Sequence, residues 1–217
     1  MWLLKSSFFA IRFFYGGKQE KISNKLKEAA MLLFGQKGYD GTALSEIAKA
    51  VGVKTPAIYA FYKNKEDLFI TAFKEAMLAY NSFIQDLSGN GESVNAKVRL
   101  HGVLLRQYEY YIKSRESNLF VVRTLLFPPD FLKDGIEEAF SESDQLLSKT
   151  IEQFMIQAME EGLLPDQPVQ PLVDAFLNLM DGLSMQFFYY NSNKVFERKL
   201  ENAFELFWKG AHSGTSL

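Results

Sequence analysis

His101 and His212 are the only imidazoles in a chain without cysteine, and neither stands at a spacing suited to metal ligation or a nucleophile-base pair. Both read as surface or locally satisfied side chains. Disulfides, cysteine nucleophiles and zinc-thiolate sites are excluded outright, and the sequence offers no phosphate-cradling glycine loop. An enzyme is not expected, nor a metal or other cofactor. What the sequence concentrates instead is positive charge. Residues 18–65 hold nine lysines against Glu20, Glu28, Asp40 and Glu46, a net of +5, whereas residues 66–217 carry a net of −9. A basic block beside an acidic remainder is the distribution expected when only one part of a chain meets phosphate.

The elements that must position those lysines are helical. Few prolines and glycines in 217 residues, with 47% hydrophobic content, favour helices around an ample core. From Lys18, the apolar residues Ile22, Leu26, Ala29, Ala30, Leu33 and Phe34 recur at spacings of three and four, which puts them on one helix face. Gly38 to Gly41 reads as a turn, with Thr42 as N-cap of a second helix whose stripe is Leu44, Ile47, Ala48 and Val51. Gly52 suits the left-handed backbone of a tight turn. A third helix then starts with Thr55 as N-cap and Pro56 in its first turn, and runs to about Phe61 or Tyr62. A short helix, a tight turn and a second short helix are the parts of a helix-turn-helix, at about 43–62. Spacing alone also fits a generic helical hairpin.

A long helix from about Lys65 to Leu87 follows, then the break Ser88-Gly89-Asn90-Gly91-Glu92. Further helices are expected over about 94–114, 118–126, 131–162, 168–190 and 194–209, with no strand alternation. The expectation is therefore an all-α chain. A three-helix DNA-binding domain at 18–78 is joined by the long helix to a larger helical domain at 79–217. Residues 1–17, rich in Phe and Leu but interrupted by Lys5 and Arg12, form an atypical extension. They fit neither a membrane span nor a signal peptide. A packed amphipathic segment or residues read from a misplaced start fit better than an interfacial membrane anchor.

The run AAMLLFGQKGYDGTALSEIAKAVGVKTPAIYAFYKNKEDLF resembles the N-terminal domain of the TetR family of bacterial transcriptional regulators. The likeness extends without a gap from about residue 22 to 77. Its marks are Gly38-Tyr39 followed by Thr42, Ile47-Ala48 leading to Gly52-Val53, Tyr59, Phe61-Tyr62 and Lys65-Glu66-Asp67-Leu68. The resemblance implies that Thr42 and the start of the second helix meet a phosphate. It places Lys54, Thr55, Pro56 and Ala57 at the groove-facing start of the recognition helix. Tyr59 and Lys65 become backbone contacts, with Lys63 and Asn64 beside them. Two departures matter. Ala57 stands where many members have a hydroxyl, and Ala60 and Phe61 stand where polar aromatics are frequent. Base reading is therefore expected to be sparse, with Lys54 and Thr55 its best carriers.

The same resemblance implies a cytoplasmic homodimeric repressor, a palindromic duplex operator and an effector held by the C-terminal domain. Val173, Phe176, Met180, Leu183 and Phe187, with Leu200, Ala203 and Phe207, recur at spacings suited to a helical seam and are the candidate dimer interface. Tyr108, Tyr111, Phe120, Arg123, Phe127, Phe154 and Phe187, together with Tyr190, are candidates to line a pocket for a small apolar or amphipathic molecule. Each of them also reads as ordinary core. Arg123 is the sharpest, because a guanidinium among Val121, Val122, Leu125 and Leu126 must pair, reach solvent or hold an anion. Glu109, Glu116 or Asp181 would satisfy it structurally. The alternative is a DNA-bound protein that recruits another protein and takes no small effector. A solid core with an exposed apolar patch would favour that alternative.

Overall fold

The computed structural model describes residues 5–88, 94–189 and 193–213, and the side chains from residue 19 onward except at Asp134, Gly135, Glu137, Ala139 and Asn193. Among the described residues every regular element is helical. In chain order they are α1 (Lys5–Lys37), α2 (Leu44–Val51), a 3-10 helix η1 (Thr55–Ala60), α3 (Lys65–Ser88), α4 (Ala96–Lys113), α5 (Arg115–Leu126), a second 3-10 helix η2 (Asp130–Gly135), α6 (Ile136–Glu160), α7 (Val169–Tyr189) and α8 (Asn193–His212). No helix among them is long and apolar enough to cross a membrane.

The chain divides into two compact units. The first takes residues up to Leu78 together with Glu116–Ile136, and the second takes Ala79–Arg115 with Glu137–Leu217. The chain is cut between Leu78 and Ala79, but residues 116–136, expected in the C-terminal domain, pack with the N-terminal unit. Phe120 supplies the reason. Its ring has no exposure and meets Phe34 at 6.1 Å, Phe69 at 5.0 Å and Phe73 at 6.1 Å. Burying one such ring contributes about 1.5–3 kcal/mol, and its partners lie on α1 and α3. The extension expected at 1–17 is, from Lys5 on, continuous with α1. Its side chains lie outside the described ones, as do the break at 89–92 and Tyr190.

In the first unit, Leu26, Ala30 and Phe34 of α1 are buried, one turn apart, as are Leu68, Ala72 and Ala76 of α3. Ile47 and Ala48 of α2 and Ile58 of η1 are the other small-helix residues in that interior. Helix α1 ends at Gly38, whose φ of 76° is left-handed and whose N–H donates to Phe34 O at 2.8 Å.

The second unit has its own core, built from Leu100, Val103, Leu104, Ile151, Met155, Val173, Phe176, Met180, Leu200 and Phe204. Asn95 caps α4 by accepting from Val98 N at 3.0 Å, and Glu161 accepts from Ala96 N at 2.8 Å. A hydrogen bond of 3.0 Å between His101 Nε2 and the Glu201 carboxylate and the ion pair Lys97–Glu205 tie α4 to α8. The helix expected at 131–162 is broken in two, a 3-10 turn ending at Gly135 and then α6. Glycine in a helix interior carries an entropic cost that favours such an interruption.

Candidate DNA interface

The helix-turn-helix is assembled around three anchors. Gly52 caps α2 in the left-handed conformation, φ 76° and ψ 29°, and its N–H reaches Lys49 O at 3.1 Å. Nothing lies within 4 Å of where a Cβ would stand, so glycine is required there by backbone conformation and not by space. Val53 N donates to Ala48 O at 2.9 Å and completes the turn. At the far end Tyr62, nearly buried, shares a hydrogen bond of 2.9 Å with the Ser23 hydroxyl and donates to Ser23 O at 3.3 Å. The end of the recognition element is thereby bound to α1.

That element is a 3-10 helix over Thr55–Ala60, with Lys54, not Thr55, as its cap and Pro56 in the first turn. Ala57 N donates to Lys54 O at 2.8 Å, and Phe61 N to Ile58 O at 2.9 Å. Residues three apart eclipse one another in such a helix. Thr55, Ile58 and Phe61 therefore share the inward line, with Ile58 fully buried and the other two half-buried. Pro56 and Tyr59 share an outward line, and Lys54, Ala57 and Ala60 the other. Tyr59 is 58% exposed. Of the two expected base readers, Lys54 is free to reach out, while Thr55 sits over the core-facing Ile58.

Thr42 departs further from expectation. It is 1% exposed, and its hydroxyl donates to Gly38 O at 2.8 Å and Leu33 O at 3.1 Å. Its oxygen is spent on closing the end of α1, so the expected phosphate contact by this side chain is corrected to a structural one. Ala43, not Thr42, is the cap of α2, and its N–H is taken by Glu46 Oε2 at 3.1 Å. Glu46 also pairs with Lys37 at 2.5 Å; that hydrogen bond, ahead of the bond from Ala43 N, holds its carboxyl below the ordinary range. Ser45, exposed in the first turn of α2, carries the hydroxyl available on that helix end. Its position opposite the Leu44, Ile47, Ala48 stripe was the signal that sequence reasoning passed over.

Past η1, Asn64 Oδ1 accepts from Asp67 N and Asp67 Oδ2 accepts from Lys63 N, both at 2.8 Å. These bonds fix the start of α3 and leave the Lys63 ammonium exposed. Lys65 holds its ammonium 4.2 Å above the centre of the Tyr39 ring. Partial burial, then the charges of Glu66 and Asp40, raise the Tyr39 phenol above its ordinary pKa.

The candidate effector residues do not form one set. Phe120, Arg123 and Phe127 belong to the first unit; Tyr108, Tyr111, Phe154 and Phe187 belong to the second. Phe127 is 75% exposed, and Arg123 lies against the Gly38 backbone. In the second unit Tyr111 donates to Ser184 Oγ at 2.9 Å, Gln107 Nε2 donates to Tyr111 Oη at 3.0 Å, and Ser184 donates to Met180 O at 2.8 Å. Tyr108 Oη is buried beside this network without a partner. Burial, and then the charge of Glu197, raise its pKa. Leu104, Gln107, Tyr108, Tyr111, Leu183, Ser184, Phe196 and Leu200 enclose a space of about 10 Å³, room for about one water. Phe154 is core, with the Arg99 guanidinium 5.4 Å over its ring.

The expected dimer seam also needs correction. Val173, Phe176, Met180 and Leu200 are consumed by the interior of their own chain, Leu183 and Phe187 nearly so, and the Phe207 ring packs on Phe176 at 5.3 Å. The open face of α7 and α8 is a groove of about 380 Å³ lined by Leu179, Gly182, Gln186, Ala203 and Leu206 among others. Of the expected residues only Ala203 and the edge of Leu183 reach it. Leu206 on its rim is 70% exposed.

Residues 26–72 match the family model of bacterial regulatory proteins of the tetR family. Over 126 residues, 58% of this chain, the sequence is 29% identical to the biofilm operon icaADBC negative transcriptional regulator IcaR of Staphylococcus epidermidis. Over 99 residues, 45% of this chain, it is 33% identical to the fatty acid metabolism regulator protein of Bacillus subtilis. The matches span 65% and 48% of those relatives, less than two thirds of either. Among solved structures, the Bacillus subtilis regulator FadR in complex with stearoyl-CoA superposes with a TM-score of 0.65 at 20% identity, covering 87% of this chain and 98% of that one. A TetR-like regulator from Rhodococcus superposes with a TM-score of 0.68 at 14% identity, covering 87% and 94%. At these identities the structural likeness concerns the fold.

Proposed function

We propose that this chain, whose residues 26–72 match the family model of bacterial regulatory proteins of the tetR family, is a member of that family and a DNA-binding transcriptional regulator of the cytoplasm, a homodimeric repressor that releases a palindromic operator when a small apolar or amphipathic molecule enters its C-terminal unit. The observation that carries the DNA-binding reading is the outward face of η1. Lys54, Pro56 and Tyr59 stand clear of a scaffold fixed by Gly52, Ile58 and Tyr62, with Lys63 beside them. A rigid scaffold presenting cations and a phenol matches the demands of a groove flanked by phosphates. Two copies are needed to read a two-fold operator, with recognition elements about one helical turn (~34 Å) apart. The open α7–α8 face is the surface we assign to pairing.

For the effector, support comes from Tyr108. Among the described residues no protein group pairs with its buried phenol oxygen; such a group is costly when left unpaired, and a ligand oxygen reaching it would remove that cost. Acyl-CoA thioesters are the first probes, since a structural neighbour was solved with stearoyl-CoA. The second reading, recruitment of a protein partner, draws on two observations. The space beside Tyr108 takes about one water, and Val98, Leu105 and Ile112 are exposed at seven-residue spacing, hence along one line of α4. In vitro selection from random duplexes with the full chain is expected to enrich a two-fold sequence; a folded protein that enriches none overturns the DNA reading. Stearoyl-CoA that lowers affinity for the selected duplex supports the repressor with an effector. No change across a panel of acyl chain lengths, with a partner captured through Val98, Leu105 and Ile112 and lost on Leu105→Lys, supports recruitment.

A further inference from the structure

Lys65 stands in an electrostatically poor place. It opens α3, and the N-terminal end of a helix carries partial positive charge that disfavours a cation. Glu66 and Asp67 follow it and suit that end, but neither forms an ion pair with it among the described residues. A lysine on four flexible carbons in such a position would spread over many rotamers. Here the ammonium sits 4.2 Å above the centre of the Tyr39 ring. The face of an aromatic ring is its negative side, so a cation at this distance is attracted while its outer N–H groups stay free.

The ring is itself fixed. It stacks with Phe34 at 6.0 Å and 23°, and meets the edges of Phe69 at 5.4 Å and Phe131 at 4.9 Å. Phe34 is in α1, Phe69 in α3 and Phe131 in η2, so three elements of the first unit brace one platform. We infer that Tyr39 is a positioning residue for DNA binding: its braced ring holds the Lys65 ammonium where it meets a backbone phosphate, and the entropy of ordering that lysine is spent on folding instead of at the operator. This rests on the DNA-binding reading, to which it adds a residue and a mechanism.

The test measures affinity of the full chain for the selected duplex as a function of salt. Lys65→Ala is expected to lower the slope of log affinity against log salt by about one per subunit. Tyr39→Leu is expected to weaken binding by about threefold per subunit and to flatten the slope towards the Lys65→Ala value. In the Lys65→Ala background it should change nothing further. Tyr39→Phe keeps the ring face and should bind as the unaltered chain does. Phe73→Leu costs comparable packing in the same unit without touching Tyr39, and should leave the slope intact. Independent, multiplicative effects of Tyr39→Leu and Lys65→Ala overturn the inference, as does a Tyr39→Phe protein no better than Tyr39→Leu. An unaltered chain that binds no duplex overturns the DNA-binding reading along with it.

Discussion

The guanidinium of Arg123 lies against the backbone of Gly38, so near that a Cβ on Gly38 would stand 3.1 Å from both Nε and Nη2. A cation at the C-terminal end of α1 is favoured by the helix dipole, and the glycine both permits that approach and supplies the left-handed φ that ends the helix. Gly38→Ala is expected to destabilise the chain by about 1–2 kcal/mol from the backbone conformation alone, with a further steric part. Arg123→Ala should recover only the steric part in the double variant, because the φ stays. Urea denaturation of the four proteins measures this, and a double variant as stable as Arg123→Ala alone would refute it.

Thr42 separates two roles that the sequence could not. With its hydroxyl committed to Gly38 O and Leu33 O, Thr42→Val should cost about 1–2 kcal/mol of folding stability for the lost buried bonds. DNA affinity should be unchanged at temperatures where the variant is folded. Weaker binding by the folded variant, at an unchanged salt slope because a hydroxyl carries no charge, would mean that the hydroxyl meets phosphate after all. Ser45→Ala, on the exposed end of α2, is the variant expected to weaken binding without loss of stability.

Glu46 gives a pH dependence with a definite sign. Its folded-state pKa lies below the ordinary glutamate value of about 4.3, chiefly because of the Lys37 hydrogen bond. Its ionised form therefore stabilises the folded state. That contribution is complete above about 4.3 and is lost as pH falls through the depressed folded value. Stability measured by urea midpoint across the acid range should fall less steeply for Glu46→Gln than for the unaltered chain. An identical fall in both would show that the pair contributes nothing.

The α7–α8 face predicts a dimer through residues other than the seam. Leu206→Glu places a charge on the exposed rim of the groove, where it touches none of the buried core. It should yield a folded monomer by light scattering, with DNA affinity lost because one recognition element cannot read a two-fold site. Phe176→Ala, by contrast, should cost about 3–5 kcal/mol and act through folding. A Leu206→Glu protein that remains dimeric would move the interface elsewhere.

Sequence showed the motif well because its parts are chemically forced. Only a residue tolerant of positive φ serves at Gly52, Ala48 is small where α2 meets the turn, and Ile47 and Ile58 recur at core spacing. It could not show that η1 is a 3-10 helix, since that depends on Ile58 being buried and Tyr62 being bonded to Ser23 of α1, and with it the line on which Thr55 falls. Periodicity in α7 identified an apolar face but not whose interior it fills; Val173 and Phe176 serve their own chain. Nor does anything local in 116–136 say that Phe120 belongs with Phe34, Phe69 and Phe73. Lysines were visible as charge, yet the ring beneath Lys65 comes from a turn some distance away in sequence.

Tyr108 is the place where stability and response should trade against each other. Its phenol oxygen is buried without a partner, while Gln107, Tyr111 and Ser184 satisfy one another close by. The ring itself is well held, stacked on Phe196 at 4.6 Å and edge-on to Phe187 at 6.0 Å. Removing only the oxygen therefore keeps the packing and abolishes an unmet hydrogen-bonding group whose desolvation costs about 1–3 kcal/mol. Tyr108→Phe is expected to raise the melting temperature of the ligand-free chain. If an effector's polar group completes that hydrogen bond, the same variant should bind the effector more weakly and need more of it to release the operator. Calorimetric melting with and without stearoyl-CoA reads both halves. A variant that is stabilised yet keeps the full ligand-induced shift would place the effector away from Tyr108, and one that is destabilised would show the oxygen to be partnered in solution.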